Sequence, residues 1–171
     1  MVDVIDGVAS SLRPAQHGCL QTRATLHPRF ADALISIEDP PTGGPSTLQL
    51  AALEFITTWD RALFSRLAQA TLAYCHGFSE EVGLTDFEGR TSAYILDCVR
   101  TSVIIIPSQV RATPVVRIEL DCDWEPEHGL EWVVESPKFI RYVGPFRMIH
   151  DWLNDADPGY AYLLETSNQD S

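Results

Sequence analysis

The stretch from Asp123 to Trp132 holds the side chains of this chain that are best suited to chemistry or to binding a partner. It combines acids, one histidine and two tryptophans around a proline and a glycine. The candidate binding residues here and just before it are Asp121, Asp123, Trp124, Glu125, Glu127 and His128. Carboxylates and an imidazole can bind a cation, transfer a proton or contact a basic protein surface. Three kinds of site therefore have to be compared.

A metal site and an active site are the less favoured interpretations. The EF-hand calcium loop needs a glycine at its sixth position and a glutamate at its twelfth, and neither falls in place here. The chain also lacks a Gly-x-Ser-x-Gly elbow, a Gly-rich phosphate loop and a His-Glu-x-x-His helix. We expect no metal, no cofactor and no catalytic residue. For His128 we favour a structural role, in which it caps the turn through the backbone or Glu127 while Gly129 supplies a positive φ.

The four cysteines are spread widely along the chain, at Cys19, Cys75, Cys98 and Cys122. There is no Cys-x-x-Cys pair, and no histidine lies at metal-ligand spacing from any of them. This pattern argues against a zinc site. It favours free thiols buried in the core.

Charge is the strongest clue in the composition, because 24 acidic residues against 12 basic ones give a net charge of −12. From Glu119 to the end of the chain there are 12 acids and 3 bases, so this part alone carries −9. Such a field repels nucleic acid and anionic membranes and speeds the encounter with a basic partner. The alternative is that the acidity serves solubility alone.

Length and hydropathy indicate one ordinary globular domain. The chain has 171 residues, 45% of them hydrophobic, and a mean hydropathy of −0.04. We expect a single domain over residues 1–171, with its core at about 19–153 and frayed termini. No run of about 18 apolar residues is present, and the amino terminus lacks the basic-then-apolar pattern of a secretion signal. The sequence therefore favours a cytoplasmic protein.

The candidate site is predicted to lie on a β-hairpin over residues 115–135. The first strand alternates, with one side formed by Val116, Ile118, Leu120, Cys122 and Trp124. The other side is formed by Arg117, Glu119, Asp121 and Asp123, which we expect to face water. Apolar alternation resumes at Leu130. The turn should span Glu125 to Gly129 and present an acidic outer face.

The remaining patterns predict an α+β domain. Strands are expected at residues 19–26, 33–37, 103–106 and 139–143, and a loop at 38–45. Residues 46–76 should be mainly helical, begun by a capping box of Ser46 and Gln49 and ended at Gly77. A short amphipathic helix or turn should include Met148 and Leu153. We expect a mainly antiparallel sheet with a long helix or helix pair packed on one face.

Several segments of this sequence resemble those of an uncharacterised bacterial domain family. They are Thr47-Leu48-Gln49 at the start of the helix, Tyr74 near its end, the hairpin residues 124–130, and Tyr142-Val143-Gly144. The family hallmark is a W-[DE]-x-E-H-G-hydrophobic turn, and the resemblance covers approximately residues 19–145. Similar proteins are small single-domain chains often encoded near contact-dependent or type VI toxin genes, which implies toxin immunity for some members. The family has no established catalytic residues to transfer.

The resulting expectation is a cytoplasmic immunity protein that binds and masks a cognate protein toxin. An acidic rim would steer the protein to a basic active-site cleft, and exposed aromatic side chains would anchor it there. Nucleic acid and membrane are not expected partners. The toxin could be a nuclease, a deaminase, a lipase or an ADP-ribosyltransferase. The alternatives are a small metal-dependent hydrolase that uses the acidic hairpin, and a non-catalytic scaffold.

Overall fold

A computed structural model describes residues 2–108 and 112–146 of the chain. In this part, seven strands form one sheet in which spatial order follows chain order. The strands are β1 Arg13–Pro14, β2 Leu20–Ala24, β3 Ala33–Ile37, β4 Val99–Ile106, β5 Val115–Cys122, β6 Leu130–Glu135 and β7 Phe139–Pro145. Strands β3 and β4 pair in parallel, and the other neighbours pair antiparallel.

The helices are α1 Val2–Ser11, α2 Thr47–Thr57, α3 Arg61–Val82 and α4 Ser92–Ile95. Parallel strands need a long crossover, and α2, α3 and α4 form it between β3 and β4. Long apolar stretches of α2 and α3 are buried in the same core as the sheet. The predicted α+β class, with a mainly antiparallel sheet and a helix pair packed against it, is confirmed.

The start of α2 has the predicted capping box. The Ser46 hydroxyl accepts from the Gln49 amide at 3.1 Å, and the Gln49 side-chain oxygen accepts from the Ser46 amide at 2.9 Å. Gln49 also donates to the Glu38 carbonyl at 2.8 Å, which ties the helix to the end of β3. The predicted helical region is divided before α3, where the Asp60 carboxylate caps the new helix by accepting from the Leu63 amide at 2.9 Å.

The predicted end of the helical region at Gly77 is wrong. Helix α3 continues to Val82, and the residue in the left-handed cap conformation is Gly83, with φ 75°. Phe78 packs against the core and Ser79 is buried, so the helix keeps a buried side beyond Gly77. This burial outweighs the roughly 1 kcal/mol cost of glycine inside a helix.

The helix-facing side of β5 follows the predicted alternation. Val116, Ile118, Leu120 and Cys122 are all buried there. The neighbouring strand contributes Trp132, whose indole N–H donates to the Thr71 hydroxyl at 2.9 Å and so joins the sheet to α3.

The opposite side of β5 differs from the prediction, because Arg117 is only 2% exposed. Its guanidinium donates to the Glu131 carboxylate at 2.6 Å and lies 3.6 Å from that of Glu38. Every residue of β6 is buried, so both faces of the sheet are covered at this strand. Alternation distinguishes the two sides of a strand but does not reveal what covers each side.

Helix α1 has no counterpart among the predicted elements, and its Val8 side chain is buried in the core. The predicted helix or turn at Met148 and Leu153 lies outside the described residues. Within residues 2–108 and 112–146, no helix is both long enough and apolar enough to cross a bilayer.

Glu119 gives a first testable prediction, because it is half-buried and lies directly opposite Glu131 across β5 and β6. Burial, and then the charge of Asp121, raise the pKa of the Glu119 carboxyl, while Arg117 opposes them. A pKa raised on folding means that ionised Glu119 lowers stability at neutral pH. This loss of stability disappears as the pH falls below the pKa that Glu119 has in the unfolded chain. We expect Glu119→Gln to raise the free energy of unfolding by about 0.5 kcal/mol at neutral pH.

Urea unfolding at neutral pH and at about pH 4 would check this expectation, because protonated Glu119 and glutamine should be nearly equivalent. Glu54→Gln is the matched control, since Glu54 is exposed on α2. A lower stability of Glu119→Gln at neutral pH would show instead that attraction to Arg117 dominates.

Candidate functional site

The hairpin that carries the candidate residues is present. Strands β5 and β6 pair antiparallel, with Leu120 opposite Leu130, and residues 123–129 connect them. Gly129 has φ 71°, as predicted, and its amide donates to the Glu125 carbonyl at 3.1 Å. A β-carbon on Gly129 would lie 2.7 Å from the Leu120 carbonyl oxygen. The turn therefore requires glycine for both its φ and its space.

Trp124 is a core residue, as its position on the apolar side of the predicted strand alternation indicates, and not an exposed member of the candidate binding site. It is 3% exposed. Its ring centroid lies 6.3 Å from that of Tyr74 on α3 and 5.8 Å from that of Phe87. Trp124 continues the alternation that buries Cys122, so it points toward α3 even though β5 has already ended.

Glu125 is also buried, contrary to the prediction of an outward-facing acid in water. It is 6% exposed, and the Tyr74 hydroxyl donates to its Oε2 atom. Burial and this carboxylate together raise the pKa of the Tyr74 hydroxyl, so Tyr74 keeps its proton and remains a donor. A buried carboxylate needs such a donor, and Tyr74 lies 51 residues before Glu125 in the chain, so sequence spacing could not reveal it.

His128 connects Glu125 to the surface. Its Nδ1 atom lies 3.1 Å from Glu125 Oε1, and its side chain is 67% exposed. The turn-capping prediction named the backbone or Glu127 as its partner, and the structure corrects this partner to Glu125. A carboxylate-oriented imidazole can exchange a proton or hydrogen-bond a bound molecule. Within the described part of the chain, however, no nucleophilic side chain hydrogen-bonds to His128.

The other three predicted acids are exposed, as expected: Asp121, Asp123 and Glu127. Asp123 accepts from the Arg100 guanidinium at 2.8 Å, an ion pair that raises the pKa of Arg100. This pair is itself exposed, so it contributes little to stability. The structure thus divides the predicted site into a buried part, Trp124 and Glu125, and an exposed acidic surface.

Further acids, distant in sequence, lie at the same end of the molecule. Phe87 contacts Trp124, and the Asp123 amide donates to the Cys98 carbonyl at 3.1 Å. These contacts hold the segment between α3 and β4 against the hairpin. We define the acidic end as the exposed residues Glu80, Glu81, Asp86, Glu88, Asp97, Asp121, Asp123 and Glu127. Sequence reasoning missed the first five, although the acid-rich composition of residues 80–88 was a usable signal.

The cysteines largely follow the prediction of buried free thiols. Cys75, Cys98 and Cys122 are buried, and Cys19 is partly exposed. Burial raises the pKa of Cys75 to about 11 and that of Cys122 to about 12, so both remain protonated thiols. In the two described ranges, no three His, Cys, Asp or Glu side chains are arranged to hold a metal ion. Folding without metal stays a prediction.

Comparison with known proteins places the chain in a family. A family model described as Domain of unknown function (DUF6985) matches residues 17–150. The chain belongs to this family. No curated protein and no solved structure matches it. The resemblance to an uncharacterised family is therefore confirmed for this DUF6985 chain, whereas the hairpin hallmark and the link to toxin immunity stay predictions.

Proposed function

We propose that this DUF6985 chain is a binding protein that neutralises a cognate bacterial toxin by covering its active site. One observation carries the proposal. The acidic end presents eight exposed carboxylates, while the same segments, residues 80–100 and 119–131, present only Arg90, Arg100 and His128 as exposed basic side chains.

A surface of this kind acts on the partner before contact. Like charges gathered on one side of a protein create a field that attracts a basic partner and accelerates association. Toxins that act on nucleic acid need a basic cleft for the phosphate backbone. The net charge of −12 also repels nucleic acid itself, so a protein with such a cleft is the better match.

The buried part of the hairpin supports this role by holding the turn against α3. Trp124 and Glu125 tie the turn to Tyr74, and Gly129 lets it close without a clash. A preorganised surface loses less conformational entropy when it binds. Trp124, Glu125 and Gly129 thus hold the turn in place, and the exposed acids around them contact the partner.

An enzyme is the alternative, and the Glu125 and His128 pair is the observation that favours it. We prefer binding because Glu125 also accepts from buried Tyr74, so the pair is explained by the architecture of the turn. A scaffold role without a partner is the other alternative, in which the exposed acids serve solubility alone.

The proposal is tested by co-expressing the chain with the protein encoded by the neighbouring gene, in a bacterium whose growth that protein arrests. We expect growth to recover and the two proteins to co-purify as an equimolar complex. Glu88→Lys/Glu127→Lys should weaken the rescue by placing positive charge at the acidic end. Asp6→Lys/Glu54→Lys makes the same charge change at exposed positions on α1 and α2, and should rescue as the natural chain does.

Two results would contradict the proposal. One is continued growth arrest with no complex, although the chain is folded and abundant. The other is turnover of a small substrate by the purified chain that is lost in His128→Ala, which would favour the enzyme.

A further inference from the structure

Exposed apolar side chains are concentrated beside the acidic end. Among the described residues, five large hydrophobic side chains are markedly exposed, and three of them lie within residues 82–94. These three are Val82, 51% exposed, Leu84, 38%, and Tyr94, 39%. Scattered single residues of this kind need no explanation, whereas these three belong to one segment that packs against the hairpin through Phe87.

The local structure holds this segment in place. Val82 and Leu84 flank the Gly83 cap of α3, and the Leu84 amide donates to the Ser79 carbonyl at 2.8 Å. The Schellman-type cap normally brings a hydrophobic residue at the position of Leu84 back against its own helix. Here Leu84 remains more than one third exposed, so its apolar side chain is only partly buried by the rest of the chain.

Tyr94 is held at the other end of the same segment. The Arg90 guanidinium lies 4.6 Å from its ring centroid, and Arg90 Nε donates to the Asp86 carbonyl at 3.3 Å. Between these points, Phe87 packs against Trp124 of the hairpin. The segment therefore connects the apolar side chains to the acidic surface that the proposed function uses.

Charge identifies the kind of partner. The apolar residues lie among the exposed acids Glu80, Glu81, Asp86 and Glu88 of the acidic end. An apolar centre with a polar rim is the usual anatomy of a protein interface. The complementary surface has aliphatic side chains flanked by arginine or lysine.

We infer that Val82, Leu84 and Tyr94 form the apolar anchor of the binding surface and receive a basic amphipathic segment of a protein partner. This inference rests on the proposed function and deepens it, because it moves the energetic centre of the interface from the hairpin to the end of α3. The hairpin acids then contribute to the rim and to the association rate.

The test uses the full chain and a synthetic helical peptide with leucines on one face and arginines beside them. Val82→Ser/Leu84→Ser should weaken binding by about tenfold, because apolar burial on the partner is lost while the charges stay. Val4→Ser is the control, since Val4 is 46% exposed on α1. Two further peptides have the leucines replaced by serine or the arginines by glutamine, and both should bind more weakly. Calorimetry gives the affinities, and unchanged thermal midpoints exclude unfolding.

Nuclear magnetic resonance locates the peptide. Amides of residues 80–95 and the Trp124 indole N–H should shift, because Phe87 links that segment to Trp124. The inference is overturned if Val82→Ser/Leu84→Ser binds as tightly as the natural chain, if the serine peptide binds equally well, or if no peptide binds. If Val82→Ser/Leu84→Ser restored the growth of toxin-expressing cells as well as the natural chain does, this inference would be contradicted and the proposed function would not. If the peptides bound as expected but the natural chain did not restore the growth of toxin-expressing cells, the proposed function would be contradicted and this inference would not.

Discussion

Replacing Trp124 with alanine is expected to lower the free energy of unfolding by about 3–5 kcal/mol. Trp124 is 3% exposed and packs between Tyr74 and Phe87, so its removal leaves a cavity where the hairpin meets α3. The loosened contact also weakens the attachment of the segment that carries the acids after α3. Urea unfolding followed by far-ultraviolet circular dichroism measures the change.

The control for this variant lies in the same turn. Glu127→Ala removes an exposed side chain three residues away, and its effect should stay within about 0.5 kcal/mol. If Trp124→Ala kept full stability but lost partner binding, Trp124 would be a contact residue, as the sequence first indicated. A large loss of stability would support the role of Trp124 in packing the turn against α3.

Neutralising the exposed hairpin acids is expected to slow association with the toxin by about tenfold at low ionic strength. The variant is Asp121→Asn/Asp123→Asn/Glu127→Gln. Glu125 is left unchanged because it is buried, and its replacement would test folding instead. Since salt shortens the Debye length to about 8 Å at physiological strength, the difference should shrink as salt is added. Stopped-flow kinetics over a salt series measures both effects.

Asp6→Asn/Asp39→Asn/Glu54→Gln removes the same amount of negative charge from exposed positions on α1, after β3 and on α2, and is the control for position. It should change the association rate much less than the hairpin variant does. Equal slowing by both variants would mean that net charge matters and the acidic end does not. Unchanged, salt-insensitive kinetics of the hairpin variant would assign the acidity to solubility.

Much of the fold was predictable because it depends on neighbours in sequence. The Ser46 and Gln49 capping box, strand β3 and the buried apolar side of β5 all appear as expected. Each is decided by a few consecutive residues, through backbone hydrogen bonds or side-chain periodicity. The end of α3 escaped prediction because a glycine inside a helix costs little when packing continues beyond it.

The candidate site was predictable only in part. The hairpin, the turn and the exposure of Asp121, Asp123 and Glu127 were correct. Trp124 lies on the apolar side that the alternation predicts, whereas Glu125 was misplaced, because nothing near it in sequence indicates that Tyr74 would donate a hydrogen bond to it. Burial depends on which distant element packs against a side chain, and strand periodicity carries no information about that element.

By itself, the sequence determined the central strands, the capped start of α2, the α+β class, the excess of acidic residues and the hairpin with its glycine turn. Only the tertiary structure decided which acids act together, since packing brings residues 80–97 beside residues 121–127. It also decided that Glu125 is internal while Glu127 is exposed. The physical reason is that hydrogen-bonded turns and periodicity are local, whereas burial and electrostatic fields sum over groups that the folded chain brings close together.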